Sequence, residues 1–345
     1  MINIPKIRLQ THRLVGSEFT NPADVVSWMG AVQAQQPNMA KVAVALRTKN
    51  GTLAKVEQEL DKGSILRIHI LRPTWHFIVP EDIRWMLDLS HDYMRRICEG
   101  YAKQIGRSFT SQIEGKCFDA ISRALQGECS LTRQEISNEL EQAGLPFDNQ
   151  FVTLLMSFAE IEGLVCSGRM QGNTHTYMLL DERVSNRNDK SHEESLMLLA
   201  RKYFKSHSPA MLDDFTWWSG LSKTEAKRAI EMICGELWQE NIADRTYYVH
   251  DSFDDHINRN TSMTLLPAYD EYLISYKYRQ DVLREEHHPK AFTNFGIFYP
   301  VILSKGKVVG NWQKKGKKTE CKFFEESPDI NERTLKKVIS EMERI

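Results

Sequence analysis

The sequence predicts an α+β protein built from three tandem winged-helix modules, followed by a small C-terminal β-barrel with a terminal helix. Three observations predict it. A pattern of three helices and then a two-stranded ribbon occurs near the N-terminus and recurs twice, although sequence identity between the copies is slight. The polar, charged stretch 181–191 reads as a linker between the second and third copies. From Thr261 onward, alternating apolar strands replace helical periodicity. The expected domains are 1–110, 111–188, 189–258 and 259–345. A length of 345 residues fits this, since ~150 residues per domain gives two or three units and small modules fit equally well.

Asn21-Pro22 places an N-cap residue before a proline at the first helical position, with Asp24 in the first turn and Val25, Val26 and Met29 as an apolar stripe up to Gly30. A second helix from Met39 buries Val42, Val44, Ala45 and Leu46, and a third runs over 53–62. Residues 65–71 and 74–79 make a ribbon turning at Arg72-Pro73. The second copy has helices over 113–126, 131–142 and 149–162 and a hairpin over 163–180, turning near Gly172 and Asn173. The third has helices over 192–205, from Ser208-Pro209 to Trp218, and from a Ser222 cap to Cys234, then a strand pair over 237–250. Strands at 263–266, 295–303, 308–312 and 321–324 and a helix over 331–345 close the chain as a small barrel or sheet.

Charge excludes an overall field that draws the chain to nucleic acid: 45 Lys plus Arg meet 46 Asp plus Glu. Two basic regions remain. Residues 1–56 hold Lys6, Arg8, Arg13, Lys41, Arg47, Lys49 and Lys55 against Glu18 and Asp24. Lys305, Lys307, Lys314, Lys315, Lys317 and Lys318 surround Trp312, which reads as exposed. Such runs are usually solvated faces, but a pair of them suits a shared anionic ligand. The helix over 151–162 has no Lys or Arg and two glutamates, so it cannot grip DNA as a recognition helix does. Lys223, Lys227 and Arg228 could touch phosphates, yet both helices read as scaffold.

The six cysteines are widely spaced, without a CxxC pair, and read as reduced thiols. With no apolar leader and no apolar run near ~18 residues, the expectation is a cytoplasmic protein without a membrane partner. Phosphate-loop, dinucleotide, zinc-protease and serine-hydrolase motifs are missing. His250, Asp251, Asp254, Asp255 and His256 read as a polar loop, not a metal site. His287-His288 is uninformative, and Trp217-Trp218 reads as core between modules.

One triplet carries chemistry. Gln33-Ala34-Gln35 follows an amphipathic helix in the basic N-terminal region, and two carboxamides one residue apart can position a water but cannot deprotonate it. In an extended chain the two side chains share a face; on a helix they would be ~200° apart, so the triplet is expected not to be regular helix throughout. The plain alternative is that both cap backbone groups at a helix end.

Several stretches together resemble the AlkZ/YcaQ-type winged-helix DNA glycosylases. Residues 31–37, with Gln33-Ala34-Gln35 inside them, look like the Gln-hydrophobic-Gln signature of the AlkZ-like branch; the YcaQ branch has an acid where this chain has Gln35. Arg72-Pro73-Thr74-Trp75-His76, with Pro80-Glu81-Asp82 and Trp85 downstream, is similar to the family's Arg-(Gly/Pro)-Thr-x-His segment. Residues 265–272 with Arg279, and Val309-Gly310-Asn311-Trp312, resemble its C-terminal region. The resemblance covers nearly the whole chain, and its motifs are specific only in combination. It implies three winged-helix modules and a β-barrel around a concave DNA channel, monofunctional excision of alkylated purines, in some members including interstrand crosslinks, and no metal or organic cofactor.

The implied chemistry suits the residues. Ring-nitrogen alkylation makes a purine cationic, so it leaves as a neutral base without a general acid. Gln33 and Gln35 would hold the water, and Asp270 is the expected electrostatic helper; its alternative is a pair with Arg279 or a turn. Arg72, Thr74, His76, Lys41, Arg47, Trp312, Lys314 and Lys315 are the expected DNA contacts, although a lone His on a strand is more often structural. The expected partner is double-stranded DNA containing alkylated purines, bound by a monomer. The rival expectation is a non-catalytic winged-helix DNA-binding or regulatory protein.

Overall fold

Asn21 and Pro22 act as their order dictates. The Asn21 side chain accepts the Ala23 N–H at 3.0 Å, and Pro22 opens the Pro22–Met29 helix. The structure, a computed structural model, describes residues 2–172, 174–185, 190–253, 263–316, 318–325 and 331–345. Asp254, Asp255, His256, Asn173 and Lys317 lie outside the described residues. Two compact units form, Met1–Val56 with Leu196–Ile345, and Glu57–Ser195. Residues expected to make one N-terminal module therefore fall in both.

In the discontinuous unit the N-terminal helices are Ile4–Thr11, Pro22–Met29 and Pro37–Arg47. The last starts two residues earlier than its apolar pattern suggests, because Pro37 supplies the first-turn geometry. His192–His207 enters this unit at Leu196. Its Leu199, Tyr203 and Phe204 are fully buried with Phe215 and Trp218 of Leu212–Ser219. That helix starts later than Ser208-Pro209 suggests, since Ala210 is held extended by paired backbone bonds to Tyr248 of the Arg245–His250 strand. Leu237–Ile242 completes that hairpin.

The C-terminal strands correct the barrel expectation. Met263–Leu266, Val301–Ser304, Lys307–Lys315 and Lys318–Phe323 form an antiparallel sheet in that spatial order, with no closing pair among the described residues. One face is covered instead by the Glu332–Arg344 helix, which sets Met342, Leu335, Val338 and Ile339 against Met263, Leu265, Ile302 and Trp312. A helix buries the apolar face as closure would, so the sheet can stay open.

The Glu57–Ser195 unit carries the Leu66–His69/Trp75–Ile78 hairpin and the Pro80–Gln104 helix. Ser111–Leu125, Arg133–Gln142 and Asn149–Ile161 follow, with a three-stranded sheet in the order Leu131–Thr132, Thr176–Leu179, Val165–Ser167. Met94, Cys98 and Ala102 of the long helix pack on Leu154, Phe158 and Ile161. Asn149–Ile161 is a core helix, as its lack of cations suggests. Its Glu160 is 1% exposed, accepts the His69 N–H at 3.3 Å and the Trp75 Nε1–H at 3.4 Å, and pairs with His69 Nδ1.

Among the described residues no helix is long and apolar enough to cross a membrane.

Candidate active site

The Gln33-Ala34-Gln35 triplet is not helical. The Pro22–Met29 helix ends at Gly30, whose φ of 78° and ψ of −55° belong to a γ-turn region that L side chains seldom adopt. A Cβ there would lie 3.4 Å from Lys202 Cβ and 3.6 Å from Trp218. The chain turns sharply, runs extended through Val32–Gln33, bends at Gln35 and re-enters helix at Pro37. Ala31, Val32 and Ala34 are 0–3% exposed, Gln33 is 5% exposed, and Gln35 is exposed. Strand geometry stops at Gln33, so regular alternation does not by itself put both glutamines on one open face. One is the inner member and one the outer.

The carboxylate that touches the triplet is Glu271, one residue beyond the expected Asp270. Glu271 Oε1 accepts the Gln33 backbone N–H at 2.6 Å. Its Oε2 accepts the Trp218 Nε1–H at 3.2 Å and the Ser275 hydroxyl, and lies 3.8 Å from His207 Nε2. At 1% exposure it is a buried acid with donors on both oxygens, the condition under which burial of such a group is tolerable.

Asp270 has a different task. It caps the Glu271–Ile274 helix by accepting the Tyr272 N–H at 2.9 Å, and both its oxygens accept from Arg47, at 2.8 Å each. The sequence expectation made it an electrostatic helper, with a pair to Arg279 or a turn as the alternative; at 3% exposure it serves the turn, and its ion-pair partner is Arg47 in place of Arg279. Arg47 is 2% exposed and also donates to the His12 and Ala43 carbonyls, so it is not offered to a phosphate. Arg279 instead donates from Nε to the Leu273 carbonyl at 2.8 Å.

Behind these acids lies a buried polar layer that composition did not reveal. His12 Nε2 meets the Tyr276 hydroxyl at 2.7 Å, and that hydroxyl donates to the His207 carbonyl at 2.7 Å. The buried Arg8 guanidinium lies 3.7 Å above the Tyr276 ring, donating to Asp281 at 3.0 Å and to the Pro209 carbonyl at 3.0 Å. Burial pushes His12 well below its ordinary 6.5, and His207, Arg47 and Arg8 reinforce the shift. Burial lowers His207 as well, against the opposing pull of Glu271. Both rings are therefore neutral at pH 7.

The expected DNA contacts divide by exposure. Lys314 and Lys315 are exposed on the Lys307–Lys315 strand, in register with Thr319 and Lys318. Trp312, expected to be exposed, is 5% exposed in the sheet core and donates from Nε1 to the Leu266 carbonyl at 2.7 Å. Lys41 is 7% exposed and is buried with Arg8 and Arg47, whereas Lys6 and Arg13 are half-buried and Lys49 and Lys55 are exposed. In the other unit, Arg72 and Thr74 are half-buried in the turn, while His76 is fully buried with Nδ1 3.0 Å from the Thr74 carbonyl. The Trp217-Trp218 pair splits, Trp218 being buried and Trp217 45% exposed.

One group of the described residues brings metal-type donors together, Glu286, His287 and Glu325. Arg284 donates to Glu286 at 2.6 Å and to Glu325 at 2.7 Å, which makes this an ion-pair cluster.

Sequence reasoning missed Glu271, His12 and His207. The available signal was the cap grammar of Tyr269-Asp270-Glu271: an Asp just before a helix is spent on its first turn, leaving the next acid for other work.

Comparison with known proteins bears on this arrangement. The family model described as DNA glycosylase AlkZ-like matches residues 26–344. A curated protein of Streptomyces sahachiroi, named interstrand DNA cross-link repair glycosylase, is 23% identical over 325 residues, covering 89% of this chain and 85% of that protein. The solved structure of Streptomyces sahachiroi DNA glycosylase AlkZ matches with a TM-score of 0.83 at 21% identity, covering 99% of this chain and 95% of that one. At that identity the structural likeness speaks for the fold.

Proposed function

The chain belongs to the AlkZ-like DNA glycosylase family, and from that premise we propose that it hydrolyses the N-glycosidic bond of purines made cationic by alkylation. Water attacks the anomeric carbon as the bond to the base breaks. The bonding electron pair passes into the purine ring and cancels its positive charge, so the base leaves neutral and unprotonated. The water's proton goes to solvent. Gln33 and Gln35 have no basicity to offer, and their part is orientation of the water, an effect worth several kcal/mol.

The observation that carries this reading is the fixed, extended backbone at Gln33, anchored by the buried Glu271 carboxylate, with Gln35 exposed two residues on. Glu271 is a positioning residue here: at 1% exposure it cannot reach DNA, but it sets the backbone from which the inner glutamine projects. Its negative charge also favours an oxocarbenium-like sugar nearby. Lys314 and Lys315 are the exposed members of the expected phosphate contacts. The three helix-and-hairpin stretches are read as winged-helix modules that act mainly as scaffold. The name of the Streptomyces sahachiroi relative extends the proposed substrates to purines alkylated across both strands. The protein is proposed to act as a monomer on duplex DNA.

Single-turnover reaction with methylated duplex DNA tests the reading. Wild type should release alkylpurine, and Gln35→Ala should bind the same DNA while releasing at least about 100-fold more slowly. A wild-type protein that binds duplex but never liberates base would replace this reading with that of a non-catalytic DNA-binding protein.

A further inference from the structure

A fully exposed phenylalanine stands at the tip of a well-bonded turn. Phe295 is 94% exposed, with Ile297 at 44% and Tyr299 at 39% beside it. The turn is not a loose loop. The Thr293 N–H donates to the Ile297 carbonyl at 2.8 Å, the Gly296 N–H to the Thr293 carbonyl at 3.1 Å, and the Ile297 N–H to Thr293 Oγ1 at 3.2 Å. Gly296 supplies the positive φ of 77° that the turn requires. Below the tip, Phe292 and Phe298 are bridged through their backbones and stacked, with ring centroids 5.2 Å apart.

The base of this hairpin is braced on the short helix that holds the candidate site. The Phe298 ring lies 6.0 Å from Tyr269, next to the Asp270 cap. The Arg279 guanidinium sits 4.8 Å from the Phe292 ring and 5.0 Å from Phe298, while its Nε donates to Leu273 of Glu271–Ile274. The half-exposed Trp217 donates to the Ile274 carbonyl at 2.9 Å. Phe295 and Gln33 are thus tied to the same four-residue helix, one by packing at its base and the other through Glu271.

Charge identifies the occupant. Between Glu286 and Glu320 the chain has no acid, yet it carries Lys290, Lys305, Lys307, Lys314, Lys315, Lys317 and Lys318. A rigid apolar tip in an acid-free, lysine-rich stretch complements a polyanion with a stackable interior. Duplex DNA has both properties, and apolar side chains are known to enter its base steps as wedges. We propose that Phe295 is such a wedge, inserted between base pairs of duplex DNA beside the position served by Gln35. The inference rests on the DNA-binding part of the reading above but not on catalysis.

The test uses the full chain and a duplex with 2-aminopurine next to a tetrahydrofuran abasic site, so unstacking is read as fluorescence without any chemistry. Wild type should raise the fluorescence on binding. Phe295→Ala should abolish that rise and weaken binding about tenfold, and Phe295→Trp should keep both near wild type. The exposed side chain makes few contacts, so the thermal unfolding midpoint of Phe295→Ala should match wild type and exclude misfolding. If Phe295→Ala gives the wild-type rise and affinity, or if wild type gives no rise, the wedge is overturned. Base release measured alongside on methylated duplex keeps the outcomes apart, because a protein without glycosylase activity still reports unstacking.

Discussion

Glu271 has the inner motif glutamine's N–H on one oxygen and a tryptophan N–H and a serine hydroxyl on the other. Glu271→Gln keeps the shape but must turn an NH2 toward either Gln33 N–H or Trp218 Nε1–H, and two donors then face each other. The expected result is a backbone shift at Gln33 and a fall of about 100-fold in single-turnover excision, with duplex affinity unchanged, since a displacement of ~1 Å can cost that much. A well-folded Glu271→Gln protein excising at the wild-type rate would remove the carboxylate from the account. The adjacent Asp270 illustrates how little a residue type says alone. The same motif supplies one acid to the Arg47 ion pair and one to the motif backbone, and they differ only in the carbonyls, donors and rings that the fold brings to each.

At the scale of elements, the turn at Gly30 decides where the triplet goes. The helix before it and the strand after it meet through a backbone conformation that glycine alone adopts cheaply. Gly30→Ala should cost about 2 kcal/mol from backbone strain, with the Lys202 Cβ contact adding to it, and should lower excision more than affinity. Urea unfolding with paired rate measurements checks this; a variant as stable as wild type would show that the turn relaxes freely. Elements with strong local grammar were legible from sequence: the Asn21-Pro22 start, the 53–62 helix and the Ser222 cap all form as read. Elements set by distant partners were not. The Pro80–Gln104 helix hides its length behind a charged solvent face, and Ala210 is held out of helix by its pairing with Tyr248.

Across the whole molecule, buried ionisable groups couple stability to pH. His12 and His207 are both fully buried and both have pKa values below the ordinary 6.5. On acidification the unfolded chain takes up their protons first, so the folded state loses ground. Their contribution is complete above pH 6.5 and is lost as the pH falls below it. Amide exchange in residues 196–219 should therefore speed up at about pH 5 relative to about pH 8, after correction for the intrinsic rate. Equal protection at the two values would mean that the histidines take up protons without penalty.

Local sequence settles the Asn21-Pro22 and Ser222 helix starts, the helix over 53–62 and a triplet that is not regular helix, and a family resemblance runs along the chain. These rest on caps, turns and periodicity, which act over a few residues. Which charges are exposed and which are spent depends on contacts made after the chain has folded. Arg47 and Asp270 are 223 positions apart, and Gln33 and Glu271 are 238 apart. No local pattern records such pairings, because a charged side chain is placed in the interior by the partner that meets it there.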